Sequence, residues 1–236
     1  AISSVSADDI EIATLGVTPS YAETGYGYIE CQIDSPESSY HKITWFVEKP
    51  NLELSQQYIA QPNFYWNSGV FIVKSQFWLT AIEKFDNDIY AGVSSAWEIK
   101  KLDTPFIRPN AELFAAIASN SIDYAVIEPC TTSIENRYQL GMFELTTAWS
   151  DLGTWQAVSD YQKTDNASTD DNVWLGDVIG LNTSNCYVHA EQRLVSSLGV
   201  NDLIVVDTDD ALLIAHKSHS QDVKEIVNKL NDDKRI

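Results

Sequence analysis

Hydrophobic and polar residues follow two different rhythms along the 236-residue chain. In the first, apolar runs of strand type alternate with segments of helical spacing. Strands are predicted at residues 11–17, 28–33, 42–48, 69–73 and 124–127, with a polar loop at 34–40. Helices are predicted at residues 50–60, 75–85, 89–97 and 111–118, with Ser75 as an N-cap. This alternation is typical of an α/β domain with a mixed sheet.

The second rhythm begins after a polar segment at residues 163–172, where we predict a domain boundary. Short apolar runs then recur without intervening helices, at residues 173–179, 186–189, 194–198, 203–206 and 211–215. They predict an all-β module, either a few coils of a β-helix or a β-roll. Val223, Ile226 and Leu230 predict a closing amphipathic helix. The predicted domains are therefore 1–165 and 170–236.

Composition narrows the class of protein. A hydrophobic content of 44% with 11% aromatic residues excludes a disordered chain. No apolar run reaches the roughly 18 residues of a membrane span, and no leader of the secretory type opens the sequence. Cys31, Cys130 and Cys186 lack metal-ligand spacing, so we expect three buried thiols in a cytoplasmic protein.

The formal net charge of −19 argues against nucleic acid or an anionic membrane as a partner. Such acidity either forms a solvated surface or attracts a cation. Because most acidic residues lie in polar loops, a solvated surface is the favoured interpretation. A phosphorylated substrate would still have to enter this acidic protein, so lysines and arginines near any site become informative.

The segment Gly25-Tyr26-Gly27 is the first candidate binding motif. Glycine lets the backbone approach a ligand closely, so a sugar hydroxyl could bond to a main-chain amide. A tight turn leading into a strand would explain the same residues.

Glu48-Lys49-Pro50 ends a predicted strand, and open α/β sheets place their ligands at the carboxyl ends of strands. A glutamate can accept hydrogen bonds from two sugar hydroxyls, and a mobile lysine suits a phosphate. Pro50 should bias Lys49 toward extended geometry. A surface ion pair at a strand end is the alternative.

Asn67-Ser68-Gly69 precedes the predicted buried strand at 69–73. Asn67 offers both a donor and an acceptor to a hydroxyl, although an Asx-type turn would also use it. Tyr65 and Trp66 could belong to the core or stack on a sugar.

Asp151 lies between Trp149 and Trp155, which suggests a buried and constrained carboxylate. Such a carboxylate could hold Mg²⁺ against phosphate oxygens, with water completing the coordination. A turn aspartate is the alternative. Arg108 and Arg137 are expected on the surface.

Taken in order, these phrases resemble the bacterial mannose-1-phosphate guanylyltransferases, a branch of the sugar nucleotidyltransferases. The resemblance starts near Gly16–Pro19 and runs almost to the C-terminus. It implies the C-terminal part of a Rossmann-like nucleotidyltransferase domain, followed by a short left-handed β-helix.

The same resemblance implies a role for each of the candidate residues: sugar binding by Gly25, Tyr26, Gly27, Glu48 and Asn67, a phosphate contact by Lys49, and binding of the second metal by Asp151. Residues 123–128 resemble a further family phrase. Members of the family often continue it with lysine, whereas this chain has Pro129, so no charged role is assigned there.

The implied reaction converts GTP and mannose 1-phosphate to GDP-mannose and pyrophosphate, with Mg²⁺, in a cytoplasmic homodimer built through the β-helix. The Gly-rich phosphate-binding loop of the family is not found in these 236 residues, so we expect them to be inactive alone. Two alternatives stay open. The chain could be a non-catalytic module for sugar-phosphate binding or oligomerisation, or the enzyme could use another sugar 1-phosphate or nucleotide.

Overall fold

The chain folds into two compact units, Ala1–Thr147 and Ala148–Ile236. The computed structural model describes residues 1–7, 9–32, 39–132, 138–166 and 170–233. The division lies earlier than the boundary predicted between residues 165 and 170. The reason is that Trp155 and Val158 pack against the core of the second unit.

A mixed sheet organises the first unit, whose strands are β1 (Ile12–Val17), β2 (Tyr28–Cys31), β3 (His41–Val47), β4 (Phe64–Val73), β5 (Lys101–Asp103), β6 (Phe106–Arg108) and β7 (Leu140–Glu144). Five of them form a closed sheet in the order β1-β4-β2-β3-β7, in which β7 pairs again with β1. The β1–β7 pair is parallel and the other pairs are antiparallel. β5 and β6 form a separate hairpin.

The helices of the first unit are α1 (Ile2–Ser6), α2 (Leu52–Ile59), α3 (Ser75–Phe85), α4 (Asn87–Glu98), α5 (Ala111–Ala115) and α6 (Glu128–Thr132). Asparagine or aspartate caps three of them, because the side chains of Asn51, Asp86 and Asn110 accept hydrogen bonds from backbone N–H groups in the first turn. The helices and the sheet enclose a core that includes Ile12 and Phe46. The predicted α/β class is confirmed.

Three local predictions are wrong. Residues 124–127 form part of a π-helical segment, Asp123–Ile127, rather than a strand, because a short buried apolar run has no period that separates the two. The run 69–73 is the partly exposed end of β4, whose buried part lies nearer Phe64. Ser75 is the first helical residue, and Lys74 holds the N-cap position without a side-chain bond.

The second unit contains α7 (Trp155–Asn166), β8 (Val173–Leu175), β9 (Val178–Leu181), β10 (Tyr187–Ala190), β11 (Val195–Leu198), β12 (Leu203–Asp207), β13 (Leu212–His216), a 3-10 segment (Lys217–Asp222) and α8 (Val223–Asp232). β8, β10 and β12 stack in parallel, as do β9 and β11. Parallel stacking of successive short strands is the pattern of β-helix coils. The predicted β-helix-like module with a terminal helix is confirmed.

The three cysteines are buried free thiols, as expected. Within the described parts of the chain, no helix combines the length and the apolar character needed to cross a membrane.

Candidate functional site

Three of the sequence motifs meet at the N-terminal end of β2. The backbone N–H of Asn67 donates to the carbonyl oxygen of Gly27 at 2.8 Å, and that of Lys49 donates to the carbonyl oxygen of Tyr26 at 3.2 Å. Because β2 lies between β3 and β4, these bonds hold Gly27 between the segment ending β3 and the middle of β4.

Position 27 lacks room for any side chain, so only glycine fits there. A Cβ built at this position would lie 2.6 Å from Oε2 of Glu48 and 3.3 Å from Cβ of Asn67. The φ of Gly27 is outside the left-handed region, so the close approach, and not backbone freedom, explains the glycine. Gly27, Glu48 and Asn67 therefore surround one small space, as the sequence suggested.

Glu48 follows Val47, the last residue of β3, and its side chain is 9% exposed. Burial raises the pKa of the Glu48 carboxyl, and the negative charges of Asp123 and Glu128 raise it further, whereas the hydrogen bond and charge of Lys49 lower it. A carboxylate removed from water in this way lacks part of its hydration. Hydroxyl donors from a ligand would replace the lost water.

Lys49 pairs with Glu48, its Nζ lying 3.2 Å from Oε1, yet its side chain remains 55% exposed. The ion pair considered in the sequence analysis is thus present. The extended geometry expected before Pro50 is wrong, because Lys49 has a left-handed φ of 49°. This conformation accompanies the backbone bond to Tyr26, and it is one that residues other than glycine adopt only where the surroundings hold it.

The sequence analysis placed Asn67 before a strand, but the structure places it inside β4. Thr14 of β1 pairs with Phe71, and Gly16 with Asn67, so a bulge of β4 lies between these two pairs. Gly69 within the bulge has a left-handed φ of 74°, and its N–H donates to Oδ1 of Asn67 at 3.2 Å. The predicted Asx-type turn therefore exists, and bulges of this kind often reorient a side chain at a functional site.

Two residues without a predicted role complete the cluster. Oδ1 of Asn67 accepts a hydrogen bond from the Thr14 hydroxyl, and Nδ2 donates to Oδ1 of Asp123, each at 3.2 Å. Burial raises the pKa of the Asp123 carboxyl, while Lys49 and the Asn67 amide lower it. The family phrase at residues 123–128 was a usable signal for Asp123, whereas nothing local marks Thr14.

Gly25 and Tyr26 take different places from Gly27. The N–H of Gly25 donates to Oε1 of Glu23 at 2.8 Å, within its own loop. The Tyr26 ring is buried edge-on against Trp66, with 5.3 Å between the ring centroids. Tyr26 therefore joins the cluster through its carbonyl group, while Trp66 belongs to the core.

Asp151 belongs to the second unit, and its side chain is exposed, so the buried setting expected from the flanking tryptophans is wrong. Its Oδ1 accepts a hydrogen bond from the Gly153 N–H at 3.0 Å, around a left-handed Leu152. Among the described residues, no three His, Cys, Asp or Glu side chains form a metal-binding group. An exposed single carboxylate nevertheless fits Mg²⁺, which commonly takes its other ligands from water and substrate phosphates.

The sequence analysis expected Arg108 and Arg137 on the surface. Arg108 is exposed and forms an ion pair with Asp103 in the β5–β6 hairpin, as expected for a surface residue. Arg137 lies outside the described residues.

Comparison with known families gives two matches that follow one another along the chain. Residues 3–168 match the family described as nucleotidyl transferase. Residues 176–230 match the MannoseP isomerase/GMP-like beta-helix domain.

Curated relatives are similar over nearly the whole chain. Mannose-1-phosphate guanylyltransferase ManC of Salmonella typhimurium is 38% identical over 232 residues, which cover 97% of this chain and 46% of that protein. Mannose-1-phosphate guanylyltransferase of Escherichia coli is 37% identical over 228 residues, 95% of this chain and 46% of the relative. The chain thus spans about half the length of these relatives.

A solved structure has a similar fold. It is described as a mannose-1-phosphate geranyltransferase from Thermus thermophilus, and it superposes with a TM-score of 0.73 at 25% identity. The match covers 97% of this chain and 63% of the Thermus chain. Both units of the present chain are therefore represented in one known polypeptide.

Proposed function

Because this chain belongs to the nucleotidyl transferase family, we propose that it carries the sugar-phosphate side of an enzyme that forms GDP-mannose and pyrophosphate from GTP and mannose 1-phosphate. One observation carries the proposal: Gly27, Glu48, Lys49 and Asn67 converge at one end of β2. The relatives named mannose-1-phosphate guanylyltransferase support the choice of sugar and nucleotide. A relative named Xanthan biosynthesis protein XanB, from Xanthomonas campestris, supports a role in supplying polysaccharide synthesis.

The charges around Glu48 set the direction in which the sugar phosphate binds. Glu48 and Asp123 would both repel a phosphate dianion, whereas the Glu48 carboxylate can accept hydrogen bonds from neutral hydroxyls. The mostly exposed ammonium group of Lys49 attracts the phosphate. The sugar ring therefore faces Glu48, and the phosphate lies on the exposed side of Lys49.

The reaction needs alignment more than acid–base chemistry. A phosphate oxygen of mannose 1-phosphate, already dianionic near neutral pH, attacks the α-phosphorus of GTP. A new phosphorus–oxygen bond forms, the bond between the α-phosphorus and the bridging oxygen breaks, and pyrophosphate leaves. Lys49 offsets charge at the nucleophile, while Glu48 and Asn67 hold the sugar so that the attacking oxygen stays in line.

Mg²⁺ is part of this proposal, with Asp151 as the residue that would hold it. When bound, the ion would neutralise charge on the phosphate oxygens. The Gly153 N–H bond to Oδ1 restrains the Asp151 side chain and so fixes the direction in which it presents its carboxylate.

A homodimer built through the β-helix-like module belongs to the same proposal. Leu181 and Leu198 face each other across the β9–β11 pair, and their side chains are 63% and 70% exposed. Covering these side chains with a second copy would remove apolar surface from water. We expect light scattering to give a dimer mass that Leu198→Glu reduces to that of a monomer, whereas Leu102→Glu in the β5–β6 hairpin leaves it unchanged. A wild-type monomer at micromolar concentration would contradict the proposal.

The sugar-phosphate site is tested by calorimetric titration of the full-length protein. We expect mannose 1-phosphate to bind, Glu48→Ala to weaken binding roughly tenfold or more, and the exposed control Glu98→Ala to leave it unchanged. Free mannose should bind at least about tenfold more weakly, because it lacks the group that contacts Lys49. Tighter binding of glucose 1-phosphate than of mannose 1-phosphate would redirect the proposal to another sugar, and absence of binding would refute it.

A further inference from the structure

The Asn67 side chain is held on both of its polar atoms. Oδ1 accepts from the Gly69 N–H and lies 3.2 Å from the Thr14 hydroxyl, whose single hydrogen is shared with the Val70 carbonyl at 3.1 Å. Nδ2 has two hydrogens, and one of them is used in the bond to Asp123. The Asn67 side chain can therefore offer a ligand its second amide hydrogen.

The contacts also fix which way the amide faces. If it were rotated by half a turn, Nδ2 would face the Gly69 N–H, donor against donor. Oδ1 would then face the Asp123 carboxylate, acceptor against acceptor. Asp123 and Gly69 thus oppose the same rotation from the two sides of the amide.

The Asn67 side chain and the Glu48 carboxylate border the same residue, Gly27. A Cβ built there would lie 2.6 Å from Oε2 of Glu48 and 3.3 Å from Cβ of Asn67. A hydroxyl group can donate and accept at the same time. A sugar hydroxyl that reaches both side chains can donate a hydrogen bond to the Glu48 carboxylate and accept one from the remaining Nδ2–H of Asn67.

We propose that Asp123 is a positioning residue of the sugar site, which holds the Asn67 amide as a donor so that Asn67 and Glu48 read a hydroxyl together. The proposal rests on the proposed function, because the hydroxyl belongs to the sugar phosphate. Asp123 acts through its hydrogen bond to Asn67. It reaches the cluster from the π-helical segment, whereas Gly27, Glu48 and Asn67 come from the sheet and its loops.

Three variants of the full-length protein separate positioning from charge. Asp123→Ala removes the acceptor for Nδ2. Asp123→Asn removes the charge but keeps a carbonyl oxygen that can accept the same bond. Glu128→Gln removes a neighbouring charge that also acts on Glu48 and leaves the bond between Asn67 and Asp123 in place, so it serves as the matched control.

The readout is the KM for mannose 1-phosphate, measured with the KM for GTP and the melting temperature of each variant. We expect Asp123→Ala to raise the first KM about tenfold with the KM for GTP unchanged, and Asp123→Asn and Glu128→Gln to stay within about threefold of wild type. A deoxy-mannose 1-phosphate that lacks the hydroxyl read by this pair should bind the wild type and Asp123→Ala equally.

Two results overturn the positioning role while the proposed function stands. In the first, Asp123→Ala binds mannose 1-phosphate as the wild type does and is altered only in melting temperature. In the second, Asp123→Asn is as impaired as Asp123→Ala, which would assign the effect to charge. Failure of the wild type to bind mannose 1-phosphate would overturn both proposals.

Discussion

Each unit has a buried asparagine, Asn67 in the first and Asn172 in the second, and the two differ in the kind of hydrogen-bond partner they have. In the second unit, Nδ2 of Asn172 donates to the Thr183 carbonyl at 2.7 Å, and Oδ1 accepts from the Cys186 N–H at 2.9 Å. In the first unit, Asn67 bonds chiefly to side chains, those of Thr14 and Asp123. Both are nearly inaccessible to water, so burial alone does not distinguish them.

The partners explain what each asparagine is for. Backbone groups between strands of a coil need partners wherever the ladder of hydrogen bonds is interrupted, and Asn172 provides two of them. Besides the Gly69 N–H, the partners of Asn67 are polar side chains, those of Thr14 and Asp123. A fold needs no such cluster for stability, since burying carboxylates raises the free energy of the folded state. We infer that Asn172 stabilises the module and that Asn67 is retained for binding.

The largest expected effect is on the stability of the second unit. Asn172→Ala leaves the Cys186 N–H and the Thr183 carbonyl without these partners in a buried setting, which should cost roughly 2–5 kcal/mol of unfolding free energy. Chemical denaturation measures the loss. Asn67→Ala is the matched variant, and we expect it to lose less stability but more affinity for mannose 1-phosphate. Equal stability losses with equal affinities would remove the distinction between the two asparagines.

The next effect is on catalysis through Lys49. In the proposed site, Lys49→Ala would remove a charge-assisted phosphate contact worth roughly 1.5–3 kcal/mol, so we expect kcat/KM for mannose 1-phosphate to fall about ten- to over a hundredfold. Lys49→Arg should restore it only in part, because the planar guanidinium directs its donors differently. Steady-state kinetics provide the measurement.

The left-handed φ of Lys49 allows a control for stability. Alanine pays a conformational penalty at this φ that glycine does not, so Lys49→Gly should be as inactive as Lys49→Ala but more stable. Lys101→Ala, on the exposed hairpin, should leave kcat/KM unchanged. If Lys49→Ala has the same kcat/KM as the wild type, Lys49 does not contact the sugar phosphate.

Whether a residue of the candidate site could be predicted from the sequence depends on how far away its contacting residues lie along the chain. Glu48 was predicted because its motif ends a strand that the sequence indicates at residues 42–48, and Gly27 because its motif is local. Thr14 and Asp123 lie 53 and 56 residues from Asn67, so no short pattern connects them. A strand of the sheet, β7, was missed for the same reason, since its partner β1 lies far away in sequence.

Local backbone conformation at the site could not be predicted from the sequence either. The bulge at Gly69 and the left-handed φ of Lys49 arise from pairing between strands, which local propensity does not encode. The second unit was easier, because repeated short strands in parallel stacks leave a periodic trace in the sequence.

A smaller effect is expected at Asp151. Asp151→Asn keeps an oxygen for the Gly153 N–H and should therefore preserve the turn, while it removes the charge that would bind Mg²⁺. We expect about tenfold more Mg²⁺ for half-maximal activity, with an unchanged melting temperature. A lower melting temperature with an unchanged Mg²⁺ requirement would identify Asp151 as a turn residue only.

The smallest expected effect is on the pH dependence of stability, and it follows from the cost of the polar cluster. Burial raises the pKa of the Glu48 carboxyl above its value in the unfolded chain, so the folded state holds this proton more tightly. The resulting stabilisation is complete below the unfolded pKa and is lost as the pH rises through the folded pKa. Glu48→Gln has no charge to bury.

Glu48→Gln should therefore be more stable than the wild type at neutral pH, and this advantage should shrink as the pH falls. Asp123→Asn should follow the same course, because burial also raises the pKa of Asp123. Melting temperatures measured across the acidic to neutral range test both. A variant that becomes less stable than the wild type at neutral pH would mean that its carboxylate stabilises the fold, and the cluster would then resemble Asn172 and not a binding site.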